Sequence, residues 1–331
     1  MANYNIRFAN MEDIPAIMNF IDEQWKKNHI LAKDKELFEW QYVNNNKLNM
    51  VIGEDANGCL QGILGYIPYT EGVNKDFSLA LWKAKSGTSF LGVQLLMFLL
   101  KEEPHRHMFC NGINVKTSEG IYHRLGIKTG KLKQWYRLLA KNEYKIAKIE
   151  KKVIPNVNIT SEMKLFEIKN YDELKNRATE RFFDKERVPY KSESYICKRY
   201  FEHPVYDYKV YGIENQAGKI DAAIVFRIQE CNCAKALRVI DFIGEYSQIY
   251  SITNQIDDIA KECGAEYIDM YELGLDDNCL MEAGWLLVGA DENIIPNYFA
   301  PYTPCNVDIN ICTTDEKIII FKGDGDQDRP N

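Results

Sequence analysis

Ser118-Glu119-Gly120-Ile121-Tyr122-His123-Arg124-Leu125-Gly126-Ile127 is the stretch whose reading decides the fold. It predicts a short helix from Ser118 to Leu125, closed at Gly126, where a helix end favours a residue that tolerates positive φ. Ser118, Tyr122 and Gly126 recur at intervals of four and share one helical face. Upstream, His107 to Gly112 reads as a short strand and Leu91 to Leu100 as an apolar helix. Ser78 to Ala84 is a further strand. Met50-Val51-Ile52-Gly53, Asp55-Ala56-Asn57-Gly58 and Leu60 to Tyr66 form a strand, a turn and a strand, because Asn-Gly is a strong hairpin signal. At the start, residues 4–9 alternate as a strand and Met11 to Pro15 opens a helix with acids and proline in its first turn. Ile14, Ile17, Met18 and Ile21 give that helix a buried face. A second helix is expected over Asp34 to Val43.

This order is written twice. Gly53 follows Trp40 by 13 positions, and Gly212 follows Arg199 by the same span. The hairpin Asp55–Gly58 has its counterpart in Asn215-Gln216-Ala217-Gly218, and the strand Leu79–Ala84 in Leu237–Ile243. Met108–Asn111 matches Tyr267–Tyr271, and the helix ending Leu125-Gly126-Ile127 matches one ending Ala283-Gly284-Trp285. The second copy opens with a strand over Lys164–Ile168 and a helix over Tyr171–Arg181. A Lys-rich stretch with Pro155 separates the copies. The expected division is therefore a first α/β domain over 1–145, a linker over 146–160 and a second α/β domain over 161–331, each a mixed twisted sheet flanked by helices.

Length and composition agree with two ordinary domains, since 331 residues with 46% hydrophobic and 27% charged side chains can build real cores. A net charge of −7 and a pI near 5.5 speak against nucleic-acid binding, which needs basic surface. The longest apolar run, Phe90 to Leu100, is too short for a membrane span of about 20 residues. The N-terminus has no signal-peptide pattern. Nine cysteines without framework spacing read as reduced thiols, which points to the cytoplasm. Cys231 and Cys233 read as thiols in or beside a strand turn, and no metal site is expected.

The element order, together with Ser118-x-x-x-Tyr122-x-x-x-Gly126-Ile127, resembles the GCN5-related N-acetyltransferase superfamily, whose late helix reads Ala-x-x-x-Tyr-x-x-x-Gly-Phe. The resemblance implies a tandem acyltransferase in which Tyr122 protonates the departing thiolate of an acyl-CoA such as acetyl-CoA. The matching position of the second copy is Leu280, which cannot donate a proton. The superfamily's pyrophosphate loop corresponds to Lys85-Ser86-Gly87-Thr88-Ser89-Phe90-Leu91-Gly92-Val93. Lys83, Lys85, Gly87, Thr88 and Gly92 are therefore the candidate cofactor-binding residues, although the loop departs from the pattern Arg/Gln-x-x-Gly-x-Gly/Ala. The second copy, Gly244-Glu245-Tyr246-Ser247-Gln248, departs further. Glu71 is the candidate general base, with Glu39 as another acid nearby. Asn111, Asn114 and Trp40 are candidates for substrate binding, within a set of aromatics (Trp25, Phe38, Tyr66, Tyr69, Trp82) that would stack on sugar faces.

The segment Pro296-Asn297-Tyr298-Phe299 and the ending with Asp324, Asp326, Asp328 and Arg329 resemble proteins of bacterial surface-polysaccharide and nonulosonic-sugar loci. That implies a small amino-sugar acceptor, nucleotide-linked or free, in polysaccharide biosynthesis. Asp324, Asp326 and Asp328 alternate as in a calcium loop but lack its closing glutamate. Two other readings stand beside the enzyme: a non-catalytic glycan- or partner-binding protein, and a transferase that takes its acyl group from aminoacyl-tRNA. Oligomeric state is not legible from the sequence.

Overall fold

The structure is a computed structural model that describes residues 4–88, 90–157 and 159–330. It divides into two units. The first comprises Met1–Thr129, Ile311–Glu316 and Gly325–Asn331, and the second Gly130–Asn310 and Lys317–Asp324.

In the first unit, strand β1 (Asn5–Phe8) leads into a capping box in which the Asn10 side chain accepts from Glu12 N–H and Asp13 accepts from Asn10 N–H. Helix α1 (Ile14–Phe20) follows and buries Ile14, Ile17 and Phe20. Asp34 caps α2 (Lys35–Tyr42) through Leu37 N–H. Strands β2 (Met50–Glu54), β3 (Leu60–Pro68) and β4 (Asp76–Ala84) form an antiparallel meander. Helix α3 (Leu91–Glu102), strand β5 (His107–Asn111), helix α4 (Val115–Arg124) and strand β6 (Lys128–Lys131) complete the first run. Helix α3 lies close on the sheet because Gly53 and Gly62 are register partners. A Cβ on Gly53 would stand 2.8 Å from Leu91 Cδ1, and one on Gly62 3.0 Å from Leu95 Cδ1.

The second unit repeats the order. Strand β7 (Lys133–Leu138) precedes β8 (Lys164–Ile168), α5 (Tyr171–Arg177) and α6 (Glu193–Ile196). Then come β9 (Lys209–Glu214), β10 (Ile220–Cys231) and β11 (Ala234–Gly244). Helix α7 (Thr253–Glu262), β12 (Tyr267–Leu273), α8 (Asp277–Glu282) and β13 (Leu286–Leu287) follow. The expected duplication is thus matched element for element. The turn between β10 and β11 is Asn232-Cys233, both at positive φ, so Cys231 and Cys233 do sit at a strand turn.

Two strands leave their sequence neighbourhood. The first sheet runs β1-β2-β3-β4-β5-β14-β6, where β14 (Asn310–Thr313) comes from far along the chain. The second runs β8-β9-β10-β11-β12-β7-β13, so β7, written directly after the first copy, pairs with β12 from Tyr267↔Leu138 to Glu272↔Lys133. The expected borders at 145 and 161 therefore differ from the observed units. Ile146 and Ala147, expected in the linker, are core residues of the second unit, and Lys148 exchanges backbone hydrogen bonds with Ile294. Asn158 lies outside the described residues. Near the C-terminus, β15 (Ile320–Phe321) pairs with β12.

Candidate active site

A parallel sheet can open a cleft only where two neighbouring strands part. In the first unit β4 and β5 pair at three positions, Asp76↔His107, Phe77↔Met108 and Ser78↔Phe109. Beyond these, β4 runs on to Ala84 and β5 to Asn111 without further register partners. On its other side β4 stays paired to β3, with a bulge at Leu81, whose φ of 51° lies in the left-handed region. A bulge adds twist and turns the strand away from its neighbour. The result is a fork between Leu79–Ala84 and Cys110–Asn111.

The open end of the fork meets the start of α3. Gly87 in the preceding loop has φ 87°, and the space where its Cβ would stand is empty. Phe90 is the N-cap residue of α3 at φ 62°, 73% exposed, and no described side chain caps this helix. First-turn N–H groups that lack a side-chain partner, at the positive end of the helix dipole, suit an anion. Lys83 is half-buried on β4 and Lys85 is exposed, so both cations flank the loop. The Thr88 hydroxyl donates to Lys85 O at 2.6 Å and so shapes the turn. The Gly92 carbonyl accepts from Trp82 Nε1 at 3.1 Å, which ties the first turn of α3 to β4. Ser89, in the middle of the expected loop, lies outside the described residues.

Tyr122 stands on α4 with its ring 5.9 Å from that of Trp82. It is 1% exposed, and burial first, then the neighbouring thiols of Cys110 and Cys312, hold its pKa well above the usual phenol range. The group is therefore a protonated phenol. Cys110 on β5 and Cys312 on β14 are register partners, so a strand from the far end of the sequence supplies part of Tyr122's surroundings.

The remaining expected residues separate. Glu71 is exposed in the loop between β3 and β4, where its carboxylate accepts from Asn45 Nδ2 at 2.8 Å. It lies beyond the paired end of the β4–β5 fork. At about 3.3 Å per strand residue that is some 20 Å of strand from Trp82 and Tyr122, so the structure does not bring Glu71 to them. Glu39 pairs with Lys35 on the surface of α2. Asn114 is the N-cap of α4, accepting from Lys116 N–H through its side chain and from the Ser118 hydroxyl through its carbonyl. Its capping role replaces the expected substrate contact. Trp40 packs against the core beneath α1 and α2. Asn111 does reach the fork: it ends β5 and is buried.

One element at the fork was read differently from the sequence. Residues 325–330 form part of the first unit. Gly325 N–H donates to the Tyr69 hydroxyl at 2.7 Å, and Gln327 Nε2 donates to Asn111 O at 3.3 Å. Asp326 is buried and ion-paired with Arg329, whose guanidinium lies 5.1 Å from the Trp25 ring centroid. The alternating acids do not act as one loop, because Asp324 belongs to the second unit.

The second unit has the same fork, and it is closed. Strands β11 and β12 pair from Leu237↔Ile268 to Val239↔Met270 and then part, with a bulge at Ile240. Strand β15 enters there against Glu272 and Leu273. Lys322 N–H then donates to Tyr271 O on β12 at 3.1 Å, and Gly323 N–H to Ile240 O on β11 at 2.7 Å. Behind this plug, Lys191 Nζ stands 2.6 Å from both Asp241 oxygens and 2.9 Å from Asp324 Oδ1, and the Tyr200 hydroxyl donates to Asp241 at 2.5 Å. Burial, opposed by Lys191, pushes Asp241 up to about 6. Gly244 has no room for a Cβ, which would stand 2.3 Å from Asp221 O, and Leu280 fills the position matching Tyr122.

No protein-family profile matches the sequence, and no curated protein matches it at the sequence level. Solved structures do share its fold. A GCN5-related N-acetyltransferase from Anabaena variabilis superposes with a TM-score of 0.56 at 11% identity, covering 94% of this chain and 72% of its own. A conserved protein of unknown function from Enterococcus faecalis gives 0.58 at 8% identity with the same coverage. A GCN5-related glucosamine N-acetyltransferase region of a fungal multi-domain GH3 β-N-acetylglucosaminidase gives 0.51 at 9%, covering 95% of this chain and 38% of its own. The architecture is thus a two-domain GCN5-related N-acetyltransferase-like fold.

Proposed function

We propose that the chain is an acyl-CoA-dependent N-acyltransferase whose first unit holds the thioester. The observation that carries this reading is the difference between two equivalent forks: residues 320–323 bond to both strands of the one in the second unit, whereas the one in the first, met by residues 325–327 between Ser78 and Asn111, leads on to an open glycine turn and a helix start. In this reading the α3 N-terminus with Lys83, Lys85 and Gly87 receives the pyrophosphate, and the pantetheine and acyl group lie between β4 and β5. Tyr122, which the fold keeps protonated, gives its proton to the departing thiolate. Asn111 lies at the acyl end.

The acceptor in this proposal is an amino sugar, free or nucleotide-linked, acylated in the cytoplasm for surface-polysaccharide biosynthesis. The shared fold of the fungal glucosamine N-acetyltransferase region supports a sugar acceptor. Calorimetric titration with acetyl-CoA tests the cofactor half of the proposal. Wild type and Gly87→Asn should bind, since asparagine tolerates positive φ, whereas Gly87→Glu should not. A wild type that binds neither acetyl-CoA nor a longer acyl-CoA would return the chain to the glycan- or partner-binding reading.

A further inference from the structure

N-acyl transfer needs a proton acceptor on the amine side as well as a donor on the sulfur side, and Glu71 is too far from the fork to be that acceptor. Resting on the acyltransferase reading, we propose that Asp326 is the carboxylate that takes the proton from the attacking amine, presented by the 325–329 segment across the fork of the first unit.

The placement comes from both ends of that segment. Gly325 sits at Ser78, the last β4 residue paired with β5: a Cβ on Gly325 would stand 2.6 Å from Ser78 Oγ. Gln327 is bonded to Asn111, the last residue of β5, and would clash with any side chain at Gly112. Asp326, between them, spans the point where the strands part. It is 7% exposed, and Arg329 holds it as the positioning residue, itself stacked on Trp25. The groups that face Asp326 are Arg329, the Tyr42 hydroxyl of α2 and the Cys110 thiol of β5, both of which feel its charge. Tyr42 belongs to the core on the α1–α2 side of the sheet, and Tyr122 to the core on the α3–α4 side. Cys110 lies within electrostatic reach of both Asp326 and Tyr122. Asp326 thus stands within electrostatic reach of Tyr42 on one face of the sheet and of Cys110, a neighbour of Tyr122, on the other.

The step balances. The amine nitrogen forms a bond to the thioester carbonyl carbon and becomes cationic. Asp326 takes a proton from that nitrogen, the carbon–sulfur bond breaks, and Tyr122 supplies a proton to the sulfur. Asp326 then loses its proton to solvent, and Tyr122 regains one.

The test compares wild type, Asp326→Asn and Asp326→Glu with acetyl-CoA and two nucleophiles, glucosamine and hydroxylamine. Hydroxylamine is largely uncharged at neutral pH and depends less on a base. Asp326→Asn should melt lower than wild type, because it loses its ion pair with Arg329, yet below that temperature bind acetyl-CoA as wild type does and lose about 10²-fold in kcat with glucosamine. It should lose less than tenfold with hydroxylamine, and Asp326→Glu should regain part of the glucosamine rate. Equal losses with both nucleophiles, an unchanged glucosamine rate, or a wild type that binds acetyl-CoA yet acylates neither amine would overturn the assignment. Failure to bind acetyl-CoA would instead overturn the reading on which it rests.

Discussion

Gly323 N–H donates to the carbonyl of Ile240 at 2.7 Å, and beside the Lys322 N–H bond to Tyr271 O it closes the fork between β11 and β12. Ile240 is the bulge residue of β11, so the irregularity that opens the strands also offers the acceptor that closes them. The matching bulge of the first unit is Leu81.

Gly323→Ala should destabilise the second unit. The new Cβ would stand 2.7 Å from Ile240 Cγ2 and 2.8 Å from Ile240 O, and a backbone oxygen cannot turn aside. Overpacking of this kind costs about 1–3 kcal/mol. A lowered midpoint in denaturant unfolding would show it, and an unchanged midpoint would mean that the plug is loose.

Lys191→Met should cost more. It leaves Asp241 and Asp324 buried without their shared cation, and removal of one partner of a buried ion pair typically costs about 3–5 kcal/mol. The loss should shrink on acidification, because protonation of Asp241, already pushed up to about 6, removes the unpaired charge. Unfolding measured at two pH values would separate this from simple loss of packing.

Tyr122→Phe should lower kcat by about 10²-fold while leaving acetyl-CoA affinity within a factor of a few. Because burial holds the phenol above its ordinary value of about 10, the wild-type rate should show no alkaline limb from this residue below that pH. An alkaline limb that vanishes in the Phe variant would contradict the assigned burial.

His29 makes the first unit sensitive to acid. Its Nδ1 accepts from Leu31 N–H, and burial, with help from Arg329 and Lys26, lowers its pKa to about 4. The fold thus holds it neutral, whereas the unfolded chain protonates it at about 6.5. Its contribution to stability is complete above about 6.5 and is lost as pH falls through about 4. His29→Asn keeps a side-chain acceptor for Leu31 N–H and removes the titration, so stability should vary less with pH across that window.

Much of the fold was legible because it depends on local chemistry. The 3.6-residue spacing of Ile14, Ile17 and Ile21, the Asn57-Gly58 turn and the glycine closing the Tyr122 helix each act within a few residues. The candidate site was less legible. Asn114 is the kind of residue that binds substrates, but at the start of α4 its side chain serves a backbone N–H first. Glu71 lies near the right strand in sequence and at the wrong end of it in space.

The sequence by itself determined the α/β class, the doubled order of elements, the helix that carries Tyr122 and the absence of a proton donor at Leu280. Periodicity, turn residues and caps determine such features over short spans. Only the tertiary structure decided which strand pairs with which, because a backbone ladder carries no sequence label and accepts any strand whose side chains fit its faces. That freedom places β7 beside β12 and β14 beside β5, and it sends residues 320–323 into one fork and Asp326 into the other.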